Sequence, residues 1–276
     1  MTLFDAFRYD GKRALVIGAA TGMGAAVARL VADAGAEVVT MDIAECTLPG
    51  AQDIRVNLAD QSSIDAALDT CGGPVHALFL CAGVADGTPG IEKINFIGHR
   101  HAIDRLLAAG ALPRGSAIGF ISSAAGLGWE SNLELLREYL DTPDFDTAVG
   151  WVEKHSKADY MWSKQAICAY VALQAYPLLR RGIRINAICP GPTDTPLARA
   201  HQETWLGFGA DYRADAGIEA STPLEQAYPL VFLCSAAAAA LTGETMVSDS
   251  GYISSGITDS YPSAGPAAKF ITGRLQ

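Results

Sequence analysis

Short apolar runs alternate with helical periodicity along most of the chain. The run "ALVIG" (14–18) precedes a glycine-rich turn and a stretch with apolar residues at helical spacing, and "EVVTMD" (37–42) follows as the next predicted strand. Later runs predict strands at 53–57, 75–83, 116–123, 183–189 and 244–249, and helices at 60–71, 91–109, after 159 and near 223–235. Apolar strands that alternate with helices indicate a parallel sheet covered on both faces. We therefore predict one α/β domain, residues 1–276, built on a doubly wound parallel sheet.

Two long connections interrupt this alternation. Residues 124–158 contain "LELLREYL" and "DTAVGWVEKH", which predict an inserted pair of helices between a strand and the helix that follows it. Residues 194–222 form the second connection and carry Trp205, Phe208 and Tyr212. Long connections at strand ends are where binding sites tend to be built.

The composition and charge of the chain limit the classes of partner that it is expected to bind. The formal net charge of −10 and the isoelectric point near 4.9 argue against nucleic acid and anionic membranes as partners. We see no apolar core after a basic N-terminus and no run long enough to span a bilayer, so we expect a cytoplasmic protein without membrane contact. The six cysteines are dispersed without C-x-x-C pairs or nearby histidines, which predicts buried reduced thiols and no metal site. The lone histidines, among them His99, His101 and His155, are assigned no role.

The stretch "GAATGMG" (18–24) predicts a phosphate-binding turn. It follows a strand and opens a helix, where glycines allow backbone N–H groups to approach a pyrophosphate. Asp42 ends the next strand, and a carboxylate there can accept hydrogen bonds from an adenosine ribose and repel a 2′-phosphate. No nearby Arg or Lys is positioned to reverse that preference, so NAD is favoured over NADP; the alternative is that Asp42 is a turn residue.

Tyr160 and Lys164 lie one helical turn apart in "DYMWSKQAIC" (159–168). Such a pair is either a solvated helix face or part of a catalytic site, and the pair alone does not decide between them.

With these motifs in place, the chain resembles the short-chain dehydrogenase/reductase family, and the resemblance extends from about residue 12 to residue 256. The family's landmarks occur in its usual order: "GAATGMG", Asp42, "CAG" (81–83), Asn95 in "INFIG", Ser122–Ser123 in "ISSAAG", "YMWSK" (160–164) and "PGPTDTP" (190–196). The resemblance implies a Rossmann-type sheet of about seven strands and catalysis by Tyr160 and Lys164. Within the family, the chain looks most like bacterial 3α-hydroxysteroid dehydrogenase/carbonyl reductases, which share "CAG" and an insertion between the catalytic Ser and Tyr.

The resemblance assigns roles residue by residue. It implies Asn95, Ser123, Tyr160 and Lys164 as catalytic residues. It implies NAD binding by Gly18, Thr21, Gly22, Met23, Gly24, Asp42, Asn57, Leu58, Cys81, Ala82, Gly83, Tyr160, Lys164, Pro190, Gly191, Thr193 and Thr195. Two departures matter: "LCAG" lacks the Asn that normally steadies this strand, and Asn57 stands where many members have an Asp near the adenine.

The implied chemistry is hydride transfer matched by proton transfer at the substrate oxygen. Because a free Tyr is a weak base at neutral pH, we expect the Lys164 ammonium to lower the pKa of Tyr160 and Ser123 to hold the substrate oxygen. The resemblance implies that Asn95 anchors a water molecule that links Lys164 to solvent. An Asn that fills a helix kink is the alternative interpretation and is compatible with that role. Thr193 and Thr195 would hold the carboxamide and pyrophosphate, or would be ordinary turn and helix-capping residues.

The substrate is less well defined by the sequence. Residues 194–222 correspond to the family's substrate lid. Their aromatic residues, together with Trp151 of the insertion, suit an apolar cyclic alcohol or ketone. The alternative is that these rings only pack the loop against the rest of the domain. A hydroxysteroid is the first expectation, with a dihydrodiol or small cyclic alcohol and a non-catalytic dinucleotide-sensing regulator as alternatives. The resemblance also implies a homodimer or homotetramer.

Overall fold

The computed structural model describes residues 2–274 and shows a seven-stranded, wholly parallel sheet in the order β3-β2-β1-β4-β5-β6-β7. The strands are β1 (Arg13–Ile17), β2 (Glu37–Asp42), β3 (Gln52–Arg55), β4 (Ala77–Leu80), β5 (Ala117–Ile121), β6 (Arg184–Pro190) and β7 (Thr245–Ser248). Each predicted strand is present, displaced by at most a few residues at its ends. The prediction of a doubly wound parallel sheet is confirmed.

The helices are α1 (Gly22–Asp33), α2 (Gln61–Cys71), α3 (Gly98–Ala108), α4 (Leu133–Leu140), α5 (Phe145–His155), α6 (Tyr160–Arg180), α7 (Pro196–Ala200), α8 (Gln202–Trp205), α9 (Ala210–Ala216), α10 (Pro223–Cys234), α11 (Tyr252–Ile257) and α12 (Gly265–Ile271). A π-helical turn, Lys93–Ile97, leads into α3. Asp60 caps α2 by accepting hydrogen bonds from the backbone N–H groups of Ser62 and Ser63.

Two hydrophobic cores cover the two faces of the sheet. Helices α1 and α10 pack together on one face, and α2, α3 and α6 cover the other. The central strands β1, β4 and β5 are almost entirely buried, because apolar side chains on both sides of each strand meet a helical layer.

The predicted helical insertion is confirmed as α4 and α5, and it packs on α6. Its centre is an aromatic stack in which the Trp151 ring lies 4.9 Å from Tyr139 and 5.7 Å from Trp162 of α6, between ring centroids. The insertion therefore extends the core on the α6 face.

The strand order reverses direction between β1 and β4. The connections that follow these two strands diverge to opposite sides, which opens a crevice at the carboxyl ends of the strands. Within residues 2–274, no helix combines the length and apolar character that a bilayer crossing requires.

Candidate active site

The glycine-rich turn between β1 and α1 lies tightly against the strand beside it. Gly18 has φ +90°, and a Cβ there would collide with the backbone of Ala82. A Cβ on Gly24 would collide with the Gly18 carbonyl. The absence of side chains thus brings the start of α1 against the "CAG" turn after β4.

A cleft of about 320 Å³ opens along this turn. It brings together most of the predicted cofactor-binding residues: Gly18, Thr21, Gly22, Met23, Gly24, Asp42, Asn57, Leu58, Cys81, Ala82, Gly83 and Thr195. Ile17, Ile43, Val56, Val84, Ile94, Pro196 and Leu197 complete its walls and were not predicted. Most of these additional residues are apolar neighbours of the predicted positions.

Asp42 is held at the cleft by two backbone groups. Its Oδ2 accepts a hydrogen bond from Ala20 N (3.0 Å), and its Oδ1 accepts one from Ala44 N (3.0 Å). The carboxylate is therefore both a turn residue and a fixed charge facing the cleft, so the two interpretations of Asp42 do not exclude one another.

Arg55 is a basic residue near this carboxylate that the sequence reasoning overlooked. It pairs with Asp42 in the β2–β3 register, and its Nη1 donates to the Ile43 carbonyl at 2.9 Å. Because Ile43 lines the cleft, Arg55 lies beside the end of the cleft that Asp42 occupies.

A second cavity of about 430 Å³ adjoins the cleft at Met23 and Thr195. Ser123 and Tyr160 line it, together with Pro190, Gly191 and Thr193. Ser123 follows β5, and its Oγ accepts a hydrogen bond from Ala125 N at 3.2 Å, which leaves its O–H able to donate. Six of the predicted cofactor residues thus lie on the wall of this cavity: Met23, Tyr160, Pro190, Gly191, Thr193 and Thr195.

Lys164 lies behind Tyr160, between the two cavities. Its Nζ is 5.4 Å from the centre of the Tyr160 ring and donates to the Ile121 carbonyl at 3.0 Å. A Cβ on Gly83, which lines the cleft, would be 3.5 Å from Lys164 Nζ and 3.5 Å from Asn95 Oδ1. Because Gly83 has no side chain, the side chains of Lys164 and Asn95 lie close to the cleft.

The electrostatic environment differs from the expectation for Tyr160. Burial raises the pKa of Tyr160 to about 12, with smaller contributions in the same direction from Asp86 and Cys189, and Ser123 opposes the shift. Burial also lowers the pKa of Lys164 to about 8, against the effect of the nearby Cys168, Cys189 and Cys81. The expectation that Lys164 lowers the pKa of Tyr160 is wrong for this structure, because desolvation of the phenol is the largest effect.

Asn95 is fully buried in the π-helical turn, and its amide ties the site together. Its Oδ1 accepts from Val84 N (2.8 Å), and its Nδ2 donates to Val84 O (3.1 Å) and Ser163 Oγ (3.1 Å). Ser163 Oγ in turn donates to the Tyr160 carbonyl. The side chain thus fixes the segment after β4 to the start of α6.

Thr195 combines both of its predicted roles. Its Oγ1 caps α7 by accepting from Ala198 N (3.0 Å), and its side chain lies against Gly22 at the cleft. Thr193 donates to the Gly191 carbonyl and faces the second cavity only.

The aromatic residues expected at the substrate divide into two groups. Trp205 and Phe208 line the second cavity, and the Trp205 ring centroid is 5.0 Å from that of Tyr160. Tyr212 packs on Tyr252 and Tyr261 instead, and Trp151 is buried in the insertion. For Tyr212 and Trp151 the packing interpretation is the correct one.

The C-terminal helix α12 supplies part of the same cavity. Ala267, Phe270 and Ile271 line it, and α11 and α12 share a small core with Phe208. No motif identified this segment, because its apolar residues carry no recognisable chemistry.

His99 is the other site neighbour that the sequence did not reveal. It is 1% exposed, and its Nε2 lies 3.0 Å from the Ala82 carbonyl of the "CAG" turn. Burial lowers the pKa of His99 to about 4, so the neutral ring donates to that carbonyl. His99 thereby supports the turn where the usual Asn is missing.

The predicted thiols are present as free cysteines. Cys46, Cys71, Cys168, Cys189 and Cys234 are buried, whereas Cys81 is half-buried at the cleft. Cys168 and Cys189 pack behind Lys164 with their sulfurs 3.7 Å apart.

Comparison with known proteins places this geometry in a family. The profile described as enoyl-(acyl carrier protein) reductase matches residues 146–253. Cis-4-hydroxycyclohexanecarboxylate dehydrogenase of Sinomonas cyclohexanicum is 30% identical over 87% of this chain and 95% of its own length. The 3-alpha-hydroxysteroid dehydrogenase/carbonyl reductase of Comamonas testosteroni is 30% identical over 86% of this chain and 95% of its own length.

A solved structure agrees with these relatives. The 3-alpha-hydroxysteroid dehydrogenase from Pseudomonas sp. B-0831, complexed with NADH, superposes with a TM-score of 0.72 at 25% identity, covering 91% of this chain and 99% of that one. The fold, the relatives and the Ser-Tyr-Lys arrangement agree, and the chain belongs to the short-chain dehydrogenase/reductase family of oxidoreductases that act on CH–OH groups.

Proposed function

We propose that the chain catalyses the NAD(H)-dependent interconversion of a secondary, apolar, cyclic alcohol and its ketone. One observation carries the proposal: Ser123 and Tyr160 line the larger cavity, while Lys164 lies between them and the glycine-lined cleft. A substrate oxygen in the larger cavity would thus meet its acid/base group beside the cleft suited to the dinucleotide.

The cleft fits a dinucleotide. The glycine turn leaves room that a Cβ at Gly18 or Gly24 would fill, and Asp42 supplies a fixed carboxylate for a ribose. When bound, the nicotinamide supplies or accepts the hydride. Because both oxygens of Asp42 are held by backbone N–H groups, the carboxylate cannot easily turn away from a 2′-phosphate, which favours NAD over NADP.

Tyr160, Ser123, Lys164 and Asn95 have different roles in the proton transfer at the substrate oxygen. In carbonyl reduction the Tyr160 O–H donates its proton to the substrate oxygen, and in alcohol oxidation its phenolate accepts one. Ser123 O–H donates a hydrogen bond to the same oxygen. Lys164 contributes positive charge beneath the phenol, and Asn95 holds the Val84 and Ser163 segments so that Lys164 and Tyr160 keep their positions.

The substrate class follows from the cavity and from the relatives. The cavity is largely apolar, with Trp205, Phe208 and Phe270 on its walls. The names of three relatives indicate ring alcohols: the two dehydrogenases above and cyclohexanol dehydrogenase of Acinetobacter sp., which is 25% identical. A hydroxysteroid and a small cyclic alcohol are both members of this class, and the regulator alternative gains no support because Tyr160 and Lys164 are both present.

We further propose a homo-oligomer in the cytoplasm. The insertion packs on α6, and Val247 on the edge strand β7 and Leu224 and Tyr228 on α10 are exposed, so we place the contact with a second copy at the β7 edge. Light scattering on the purified chain tests this: a dimer or tetramer is expected, and a monomer at high concentration would contradict it.

The function is tested by turnover with a substrate panel. Cyclohexanol, decalol and a 3α-hydroxysteroid are offered with NAD⁺ and then with NADP⁺, and kcat/KM is compared. We expect turnover of at least one ring alcohol and a higher kcat/KM with NAD⁺. Turnover of none of them would overturn the substrate class, and a preference for NADP⁺ would overturn the assignment of Asp42.

A further inference from the structure

The wall of the substrate cavity contains one carboxylate. Asp86 lies in the turn that follows the "CAG" segment, and its Oδ1 accepts a hydrogen bond from the backbone N–H of Tyr160 at 2.6 Å. The carboxylate is thus fixed next to the acid/base residue, at the start of α6.

Asp86 is the only charged residue among those that line this cavity, all of which belong to the described part of the chain. No ion pair among residues 2–274 includes it, so no Lys, Arg or His nitrogen of that part lies within 4.0 Å of its oxygens. Lys164 donates to the Ile121 carbonyl instead. The charge at the cavity wall is therefore not neutralised.

Asp86 is exposed to solvent, which partly screens its charge, while Met161, Trp205, Phe208 and Phe270 give the remaining wall of the cavity an apolar surface. The carboxylate is also close enough to Tyr160 to raise the pKa of that phenol. A ring substrate whose oxygen lies at Tyr160 would place its other substituents within reach of the same field.

We propose that Asp86 is a specificity-determining residue that disfavours substrates bearing a carboxylate and favours neutral or cationic ring alcohols. This inference rests on the proposed function, because it concerns which members of the ring-alcohol class the site accepts. The repulsion acts mainly on binding, so it raises KM for an anionic substrate more than it lowers kcat.

Three substrates of similar shape separate charge from size. They are 4-hydroxycyclohexanecarboxylate, its methyl ester and 4-aminocyclohexanol, which at neutral pH are anionic, neutral and cationic. Each is assayed with the wild type and with Asp86→Asn, which keeps an oxygen to accept from Tyr160 N. Asp33→Asn, at the exposed last residue of α1 and outside the residues that line either cavity, is the control for loss of one negative charge elsewhere.

For Asp86→Asn we expect the kcat/KM of the acid, relative to that of the ester, to rise about fivefold. The kcat/KM of the amine, relative to that of the ester, should fall by a similar factor. These changes have the size expected for a partly solvated charge interaction. Asp33→Asn should leave both ratios unchanged. A purely structural role as a helix cap would change all three substrates alike, so shifts of opposite sign are specific to the charge.

Unchanged ratios in Asp86→Asn, with the neutral ester still turned over, would overturn the assignment of Asp86 and leave the proposed function intact. Failure of the wild type to turn over the neutral ester or any other ring alcohol would overturn the proposed function, and the inference with it.

Discussion

Lys164 and Tyr160 face one another across one turn of α6, with the ammonium nitrogen 5.4 Å from the ring centre and its hydrogen bond directed to the Ile121 carbonyl. The two groups have pKa values displaced in opposite directions, since burial disfavours the phenolate of one and the ammonium of the other. In the proposed mechanism this relationship makes the direction of the reaction sensitive to pH.

The pH dependence has a defined sign. With the pKa of Tyr160 near 12, the phenol is protonated at neutral pH and ready to donate, whereas alcohol oxidation requires the phenolate. We therefore expect kcat/KM for oxidation to rise with pH by up to about tenfold per unit. Reduction should fall above about pH 8, where Lys164 loses its charge.

Initial rates in both directions between pH 6 and 10 check this expectation. Reduction that is independent of pH across the titration of Lys164, or oxidation that falls with rising pH, would be inconsistent with these two groups.

Asp42 should control the choice of cofactor. Asp42→Asn removes the charge that a 2′-phosphate would meet, and we expect the NADP⁺/NAD⁺ ratio of kcat/KM to rise about tenfold or more, as for the removal of a like-charge contact. Adding Arg55→Ala should reverse part of that gain, because the guanidinium beside Ile43 then no longer attracts the phosphate. Arg55→Ala alone is the matched control. A ratio that does not respond to Asp42→Asn would argue against the carboxylate as the selecting group.

His99 should matter for cofactor affinity through the turn it supports. His99→Leu leaves the Ala82 carbonyl without its buried donor, which costs about 1–3 kcal/mol, and part of that loss should appear as weaker NADH binding. His99→Gln places an amide N–H near the position of Nε2 and should restore most of the affinity. NADH fluorescence titrations measure the loss of cofactor affinity in both variants, and thermal melts measure the loss of stability. Equal NADH binding by His99→Leu and His99→Gln would refute a role for this hydrogen bond in cofactor affinity.

Much of the fold was predictable because its signals are local. Apolar strands, helical periodicity and turn glycines each depend on a few neighbouring residues, and they gave all seven strands and the helices of the insertion. The glycine turn and Asp42 were also predictable, since close backbone approach and a carboxylate at a strand end have one recurring use.

The rest depended on contacts between distant segments. The effect of burial on Tyr160 requires knowing what covers it, and Asp86 is separated from Tyr160 by 74 residues. Phe270 reaches the cavity that Tyr160 lines only because α12 packs near Phe208, and Arg55 meets the cleft only through the β2–β3 register. No sequence pattern carries such information.

Tyr160→Phe removes the hydroxyl that we propose transfers the proton at the substrate oxygen. The variant keeps the ring that packs against Trp205 and lacks only the hydroxyl. We measure NADH affinity by fluorescence and kcat/KM on a cyclic ketone for wild type and variant. We expect NADH binding within about twofold of wild type and a loss of turnover of about 100-fold or more. Turnover close to that of the wild type, with the cofactor still bound, would exclude Tyr160 as the proton-transferring group.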